Sequence, residues 1–213
     1  MRTRLAASRL PRSFYARPTL NVARDLLGKV LVHRRQGVAT SGVIVEVEAY
    51  IGESDPACHA APGPTKRNAP LYGPPGYAYV YLNYGIHALF NVVSEPEGSP
   101  AAVLVRALDP LGGMDAMRRR RLAPMKGRRV PLERASLSPR DLCRGPGNLT
   151  MAMGITLSDN GSDLLGRCLY IEDRGLSMTD VATGPRVGIR VGTDRHWRFW
   201  IKGHPAVSAP HQS

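Results

Sequence analysis

No two of the three cysteines, Cys58, Cys143 and Cys168, form a C-x-x-C pair, and their number is odd. That argues against a disulfide framework and a four-cysteine zinc site, and favours a reducing compartment, expected to be the cytoplasm. Lysine is scarce as well: Lys29, Lys66, Lys126 and Lys202 are the only four. None has neighbours that would depress its pKa, and no G-x-S-x-G is present, so nucleophilic catalysis has little support. No apolar run approaches the ~20 residues that a bilayer span requires. The start, "MRTRLAASRLPRSFYARP", lacks acids and resembles a transit peptide in its arginines, but lacks the apolar stretch of a secretory signal. It reads as a basic, loosely ordered arm.

What the chain has in excess is arginine. Of 29 basic residues only the four above are lysine, and 17 acidic residues leave a net charge of +12. The planar guanidinium fork suits phosphate, so this balance points to a polyanionic partner, nucleic acid above all. With 213 residues, 43% of them hydrophobic, the chain fits one domain with a substantial core. The expected ordered core spans roughly 12–207 of a single domain covering 1–213, with both ends frayed.

Along the chain, "NVARDLLGKVLV" has a helical period that Gly28 should stop. "SGVIVEVEAY" alternates as a strand, with Ile44, Glu46, Glu48 and Tyr50 on one face. Residues 52–76 form a Gly-, Pro- and Ala-rich loop of a length that usually has a function. "GYAYVYL" and "ALFNVVS" read as a hairpin joined by "NYGIH", and "AAVLVRAL" as a further strand. "DPLGGMDAMRRRR" reads as a helix with Asp109 as its cap and Pro110 in its first turn. Residues 118–129 hold seven basic side chains, either a solvated face or a phosphate contact. "RGPGNLTMAMGI" reads as a loop opening a short helix whose amides are free to hold a phosphate. "VGIRV" and "HWRFWIKG" read as strands. Strands and helices do not alternate regularly, which favours a mixed α+β domain over a doubly wound sheet.

Two features carry chemistry. Glu46 and Glu48 share a strand face beside Tyr50, so they either face solvent or floor a pocket in which a carboxylate takes a proton from water. Five of the eight tyrosines fall between 72 and 84, and Tyr84 stands directly before Gly85 at the hairpin tip. Enzymes that act on a base within a duplex extrude the nucleotide, hold it between aromatic faces and fill the gap with a wedge. Tyr84 has the position of a wedge, and Tyr50 and Tyr81 are residues of the kind that stack a base. A metal set of Glu48, Asp55, Cys58 and His59 matches no common zinc spacing. The competing reading is a non-catalytic module that binds damaged or single-stranded nucleic acid by stacking. Glu48 discriminates the two, because a binding module has no use for a pocket carboxylate that repels phosphate.

The residues also resemble the alkyladenine (3-methyladenine) DNA glycosylases over nearly the whole chain. The resemblance rests on "EVEAY", the histidine of "ACHA", "KRN" ahead of "YGPPGYAYVYLNYGIH", then "FNVV" and "VLVRALDPLGGMDAMRRRR". It implies a single α+β domain around a curved antiparallel sheet with surrounding helices and a protruding hairpin, no metal or other cofactor, and a monomer acting on double-stranded DNA containing damaged purines. It implies that Glu48, rather than Glu46, activates the water that attacks C1′, with Arg106 helping to hold the water or the nucleotide backbone. Tyr50, His59, Tyr81 and Asn91 would line the base pocket, and Tyr84 would intercalate. Arg67, Arg118, Arg119, Arg144 and Gly147 are the expected backbone contacts. The chain departs from the family pattern at Asn148, where lysine is usual.

Overall fold

The computed structural model describes residues 7–123, 137–176 and 178–208. Within them, nine strands form one open antiparallel sheet: β1 (Ser8–Arg9), β2 (Val30–Arg35), β3 (Val38–Ile51), β4 (Ala78–Asn83), β5 (His87–Val93), β6 (Ala101–Gly112), β7 (Leu169–Asp173), β8 (Val181–Gly184) and β9 (Arg198–Ile201). Their order is β1-β7-β2-β3-β6-β5-β4, with β9 pairing both β3 and β8. The helices are α1 (Arg12–Tyr15), α2 (Thr19–Leu26), α3 (Met114–Leu122) and α4 (Pro146–Met153). The architecture is the mixed α+β fold that the pattern and the resemblance predicted. No helix among the described residues is long and apolar enough to cross a membrane.

β3 is the spine. Its first part, Val38–Val43, pairs with β2, whereas Glu46–Glu48 pair with Trp200–Arg198 of β9. β6 runs along its other edge. Glu46 and Glu48 are therefore covered on both sides and wholly buried, which overturns the solvent-facing reading of their strand face. The β3–β6 register is also irregular. Ile44 pairs with Leu108, Glu46 with Ala107 and Val47 with Val105, so Val45 and Arg106 are each left out of register. A bulged residue bends its strand and re-aims its side chain. Here the result is that Arg106 reaches both buried carboxylates.

Packing follows the apolar pattern. Val22, Ala23 and Leu26 of α2 are fully buried, and each such leucine contributes about 1.5–3 kcal/mol through burial. The helix stops as predicted: Leu27 is already extended and Gly28 adopts φ +83°.

Three sequence readings change. The helix predicted from Asp109 begins instead at Met114, after Gly113 with φ +73°. Asp109 and Pro110 continue β6, paired with Val43 and Gly42. "VGIRV" forms no strand; it belongs to the irregular segment between β8 and β9. The amino-terminal stretch is ordered from residue 8: Ser8 and Arg9 pair with β7, and Tyr15 is fully buried. At the other end Ser208 is hydrogen-bonded into the core. Of the basic run 118–129, residues 124–129 lie outside the described residues, as do 1–6 and 209–213.

Candidate active site

The tyrosine-rich segment forms β4 and β5, paired from Ala78↔Val92 to Asn83↔His87. The turn places Tyr84 at φ +49° and Gly85 at φ +69°, and the Ile86 amide donates to the Asn83 carbonyl at 3.1 Å. Positive φ at both central residues of the hydrogen-bonded turn Asn83–Ile86 is the pattern of type I′, which favours asparagine and glycine. A tyrosine there is strained, and the residue is 88% exposed. Core packing therefore does not explain Tyr84, and strain of this kind gathers at functional sites.

Behind the tip lies a cavity of about 390 Å³, lined by Tyr50, His59, Tyr79, Tyr81, Tyr84, Asn91, Arg106, Pro146 and Val187 among others. Tyr79 and Tyr81 share the cavity face because the strand period is two. Their ring centroids are 5.3 Å apart, and His59 lies edge-on, 4.4 Å from the Tyr81 centroid. His59 Nδ1 and the Tyr79 hydroxyl share a hydrogen bond of 2.9 Å. Burial, and then the charge of Arg67, lower the pKa of His59 below its ordinary value near 6.5. Burial pushes Tyr79 up to about 12. The Asn91 side chain is buried and donates Nδ2 to the Tyr79 carbonyl at 3.1 Å.

Glu48 lies directly behind this wall. Three lining residues meet its carboxylate. The Val187 amide donates to Oε1 at 2.6 Å, the Tyr50 hydroxyl donates to Oε2 at 2.9 Å, and Arg106 Nη1 is 3.2 Å from Oε2. A carboxylate offers about four lone-pair sites; two take these hydrogen bonds and Arg106 makes an ion pair, so an acceptor site remains for a water. Burial and then the Glu48 charge raise the Tyr50 phenol well above its ordinary range, so Tyr50 stays a donor. Glu46 takes a different part. It accepts from Arg106 Nε at 2.8 Å, Arg198 Nε at 2.9 Å, and both the amide and the hydroxyl of Ser208 at 2.7 Å. Burial opposes the charge of Arg106, but Glu48 and then Glu46 outweigh it and raise its pKa. Two buried carboxylates are thus matched by two buried guanidiniums, as the cost of burying charge requires.

The competing metal set is not assembled. Asp55 is bound by Arg186, which, against the effect of burial, holds its carboxyl below the usual range. Burial pushes the Cys58 thiol up to about 11. Among the described residues no three His, Cys, Asp or Glu side chains are grouped to hold an ion.

The structure therefore brings Tyr50, His59, Tyr81, Tyr84, Asn91 and Arg106 to one cavity, with Glu48 directly behind its wall. Arg67 is exposed and lies with its guanidinium 5.8 Å from the Tyr81 centroid. Arg144 donates Nε to the Val207 carbonyl at 3.0 Å, just ahead of α4, whose Pro146 lines the cavity. Gly147 is explained by packing: a Cβ there would lie 3.0 Å from His87. Asn148 donates Nδ2 to the Arg144 carbonyl at 2.7 Å. Arg118 and Arg119 lie on α3, which contributes nothing to the cavity wall. Sequence reasoning missed Tyr79, Val187, Asp55 as an ion-pair partner, and Arg186. The period-two pattern was available for Tyr79. Val187 acts through its backbone, which leaves no mark in a side-chain pattern.

The family described as Methylpurine-DNA glycosylase (MPG) matches residues 13–205. A relative from Burkholderia lata is 45% identical over 204 residues, covering 94% of this chain and 91% of its own length. One from Prosthecochloris aestuarii is 45% identical over 202 residues, covering 94% and 91%. One from Rhodopseudomonas palustris strain HaA2 is 47% identical over 201 residues, covering 94% and 90%. All three are provisionally named 3-methyladenine DNA glycosylase. These matches define a DNA glycosylase, a hydrolase of DNA repair. The chain belongs to the methylpurine-DNA glycosylase family.

Proposed function

We propose that the protein flips alkylated or deaminated purines, of the 3-methyladenine, 7-methylguanine and hypoxanthine class, out of duplex DNA and hydrolyses their N-glycosidic bond. The observation that carries this is Glu48, a fully buried carboxylate held by two hydrogen bonds and an ion pair from the wall of an aromatic cavity. A water at the remaining acceptor site gives its proton to Glu48 as its oxygen bonds to C1′. The C1′–N bond breaks and its electron pair leaves with the base. Arg106 offsets the carboxylate charge and orients it. Attack from the face opposite the leaving base inverts the anomeric centre, by analogy with inverting glycosidases.

Tyr50, His59 and Tyr81 hold the extruded base. Tyr84 fills the vacated stack, the role for which a strained and exposed tip aromatic is suited. Asn91 excludes the 2-amino group of normal guanine by occupying its space. Arg67, Arg118, Arg119, Arg144 and the Gly147 backbone meet phosphates, and the net charge of +12 supports that footing. The product is an intact abasic site. A non-catalytic binding module would gain nothing from a desolvated carboxylate against its pocket.

The test incubates the protein with duplexes holding a single hypoxanthine or methylated purine and measures released base. Release that exceeds the protein-free control by orders of magnitude is expected. Tight binding of every lesion duplex with no release would overturn the reading in favour of the binding module.

A further inference from the structure

Between β8 and β9 the chain has no strand or helix, yet this stretch supplies Val187, Gly188 and Ile189 to the cavity wall. Something other than a sheet ladder has to fix it. Arg186, directly before Val187, is wholly buried and makes a bidentate pair with the equally buried Asp55. Nη1 lies 2.5 Å from Oδ2 and Nη2 lies 2.8 Å from Oδ1. Nη1 also donates to the carbonyl of Ala49, the residue between Glu48 and Tyr50, at 3.0 Å. The guanidinium stands 4.6 Å from the Tyr50 ring centroid and 5.2 Å from that of Trp197. On the partner side, Asp55 accepts from the Ile51 and Ala57 amides, and the Cys58 amide donates to its carbonyl. That orders the loop that carries Cys58 and His59 into the same wall.

Stability alone does not account for this pair. A buried ion pair is often matched or exceeded by apolar residues of similar volume. In addition, Arg186 Nε is buried with no hydrogen-bond acceptor, a penalty that a purely stabilising contact would avoid. What a planar, two-pronged guanidinium provides is direction. We propose that Arg186, set by Asp55, is a positioning residue that aims the Val187 amide at Glu48 Oε1 and fixes the Tyr50 ring, so that the carboxylate keeps one acceptor site turned to the attacking water. The inference rests on Glu48 being the base. Arg186 is buried and is not among the residues that line the cavity, so it acts through Val187 and Tyr50.

The test compares wild type with Arg186→Lys, Asp55→Asn and the double variant Asp55→Leu/Arg186→Met. It reads the maximal single-turnover excision rate, the Kd for a duplex holding a stable abasic-site analogue, and the melting temperature. The double variant is expected to melt near wild type and to bind within a few-fold, while its maximal rate falls about 10²-fold, the usual effect of misplacing a reacting group by ~1 Å. Arg186→Lys should recover only part of that loss, because an ammonium cannot make the two-pronged contact. A double variant that excises at the wild-type rate, beside an inactive Glu48→Gln, would overturn the positioning role and leave the reaction intact. A Glu48→Gln variant that excises normally would instead remove the base on which the inference rests. Should the double variant not fold, Arg186→Lys decides. A lowered rate with normal melting and Kd supports the proposal, and an unchanged rate overturns it.

Discussion

The Tyr50 hydroxyl donates to Oε2 of Glu48 at 2.9 Å, although the two residues are only two positions apart on one strand. The remaining partners, the Val187 amide and the Arg106 guanidinium, come from segments far away in sequence. All three groups that hold the carboxylate can only donate or, for Tyr50, donate by preference. Replacing one oxygen by an amide therefore has a defined consequence. In Glu48→Gln, Oε1 keeps the Val187 bond and Nε2 faces Arg106, which has no acceptor to offer. Excision should fall by ~10²–10⁴, the usual loss with a general base. Binding of a lesion duplex should persist, because cations and stacking carry it, and melting should drop modestly. Single-turnover excision within a few-fold of wild type would remove Glu48 from the reaction.

Tyr84 separates stability from binding. Its positive φ costs a non-glycine residue roughly 1–2 kcal/mol. Glycine removes that strain but adds about 0.5–1 kcal/mol of unfolded-chain entropy. Tyr84→Gly should therefore melt at or slightly above wild type. Its affinity for a lesion duplex should weaken by up to a few kcal/mol, the scale of one unstacked base step. A variant that melts far below wild type would show that the ring supports the fold.

Asn91 is the test of selectivity. Its Nδ2 is tethered to the Tyr79 carbonyl, so the amide occupies the cavity in one orientation. Serine at this position is shorter and vacates that space. Asn91→Ser should release some undamaged or mispaired guanine, since selectivity built on an unfavourable contact is lost with it. Competition between lesion and guanine duplexes measures the effect, and unchanged discrimination would end the assignment.

The hairpin, the glutamate strand and the aromatic pocket were legible because each rests on a short-range pattern. Alternation gave β3 to β5, and Tyr84 before Gly85 marked the turn. The strand-to-helix boundary after β6 was not legible. Asp109 and Pro110 have the local preferences of a helix start, but pairing with Val43 and Gly42 extends the strand past them. Gly42 permits this approach: a Cβ there would stand 2.9 Å from Leu108. The Arg186–Asp55 pair joins residues 131 positions apart, and no local period records such a contact. The bulge that turns Arg106 toward the glutamates was hidden for the same reason, being a property of two strands in register rather than of either alone.

His59 gives a pH prediction whose sign is fixed by its surroundings. Burial, then Arg67, lower its pKa, so the unfolded chain takes up the proton first as pH falls. Its effect on stability is nil above about 6.5; stability is lost as pH falls from there to the folded value, and below that the loss is constant. The ring is accordingly neutral at physiological pH and shares its hydrogen bond with Tyr79. Arg67→Ala removes a repelling charge, so the His59 pKa should rise while remaining lowered by burial. Proton NMR of the imidazole through a titration checks both statements. A shift to lower pKa in the variant would contradict the electrostatic reading.

The last prediction concerns the product. Cleaving the strand by elimination requires an amine that forms a Schiff base with the sugar aldehyde. No lysine is among the residues that line the cavity. Lys29 is engaged with Asp173 at 2.6 Å, and Lys126 lies outside the described residues. Lys66 is exposed in the loop after His59 and is the amine nearest in sequence to the pocket. With water as the nucleophile the abasic site should remain uncut, and borohydride added during turnover should trap no protein on a lesion duplex. Arginine cannot replace the amine, because the guanidinium keeps its proton throughout the accessible pH range. An excess of Arg over Lys suits a surface to phosphate while leaving few groups able to attack an exposed aldehyde. A covalent protein–DNA adduct that disappears in Lys66→Ala would replace the water mechanism with one that both excises the base and cuts the strand.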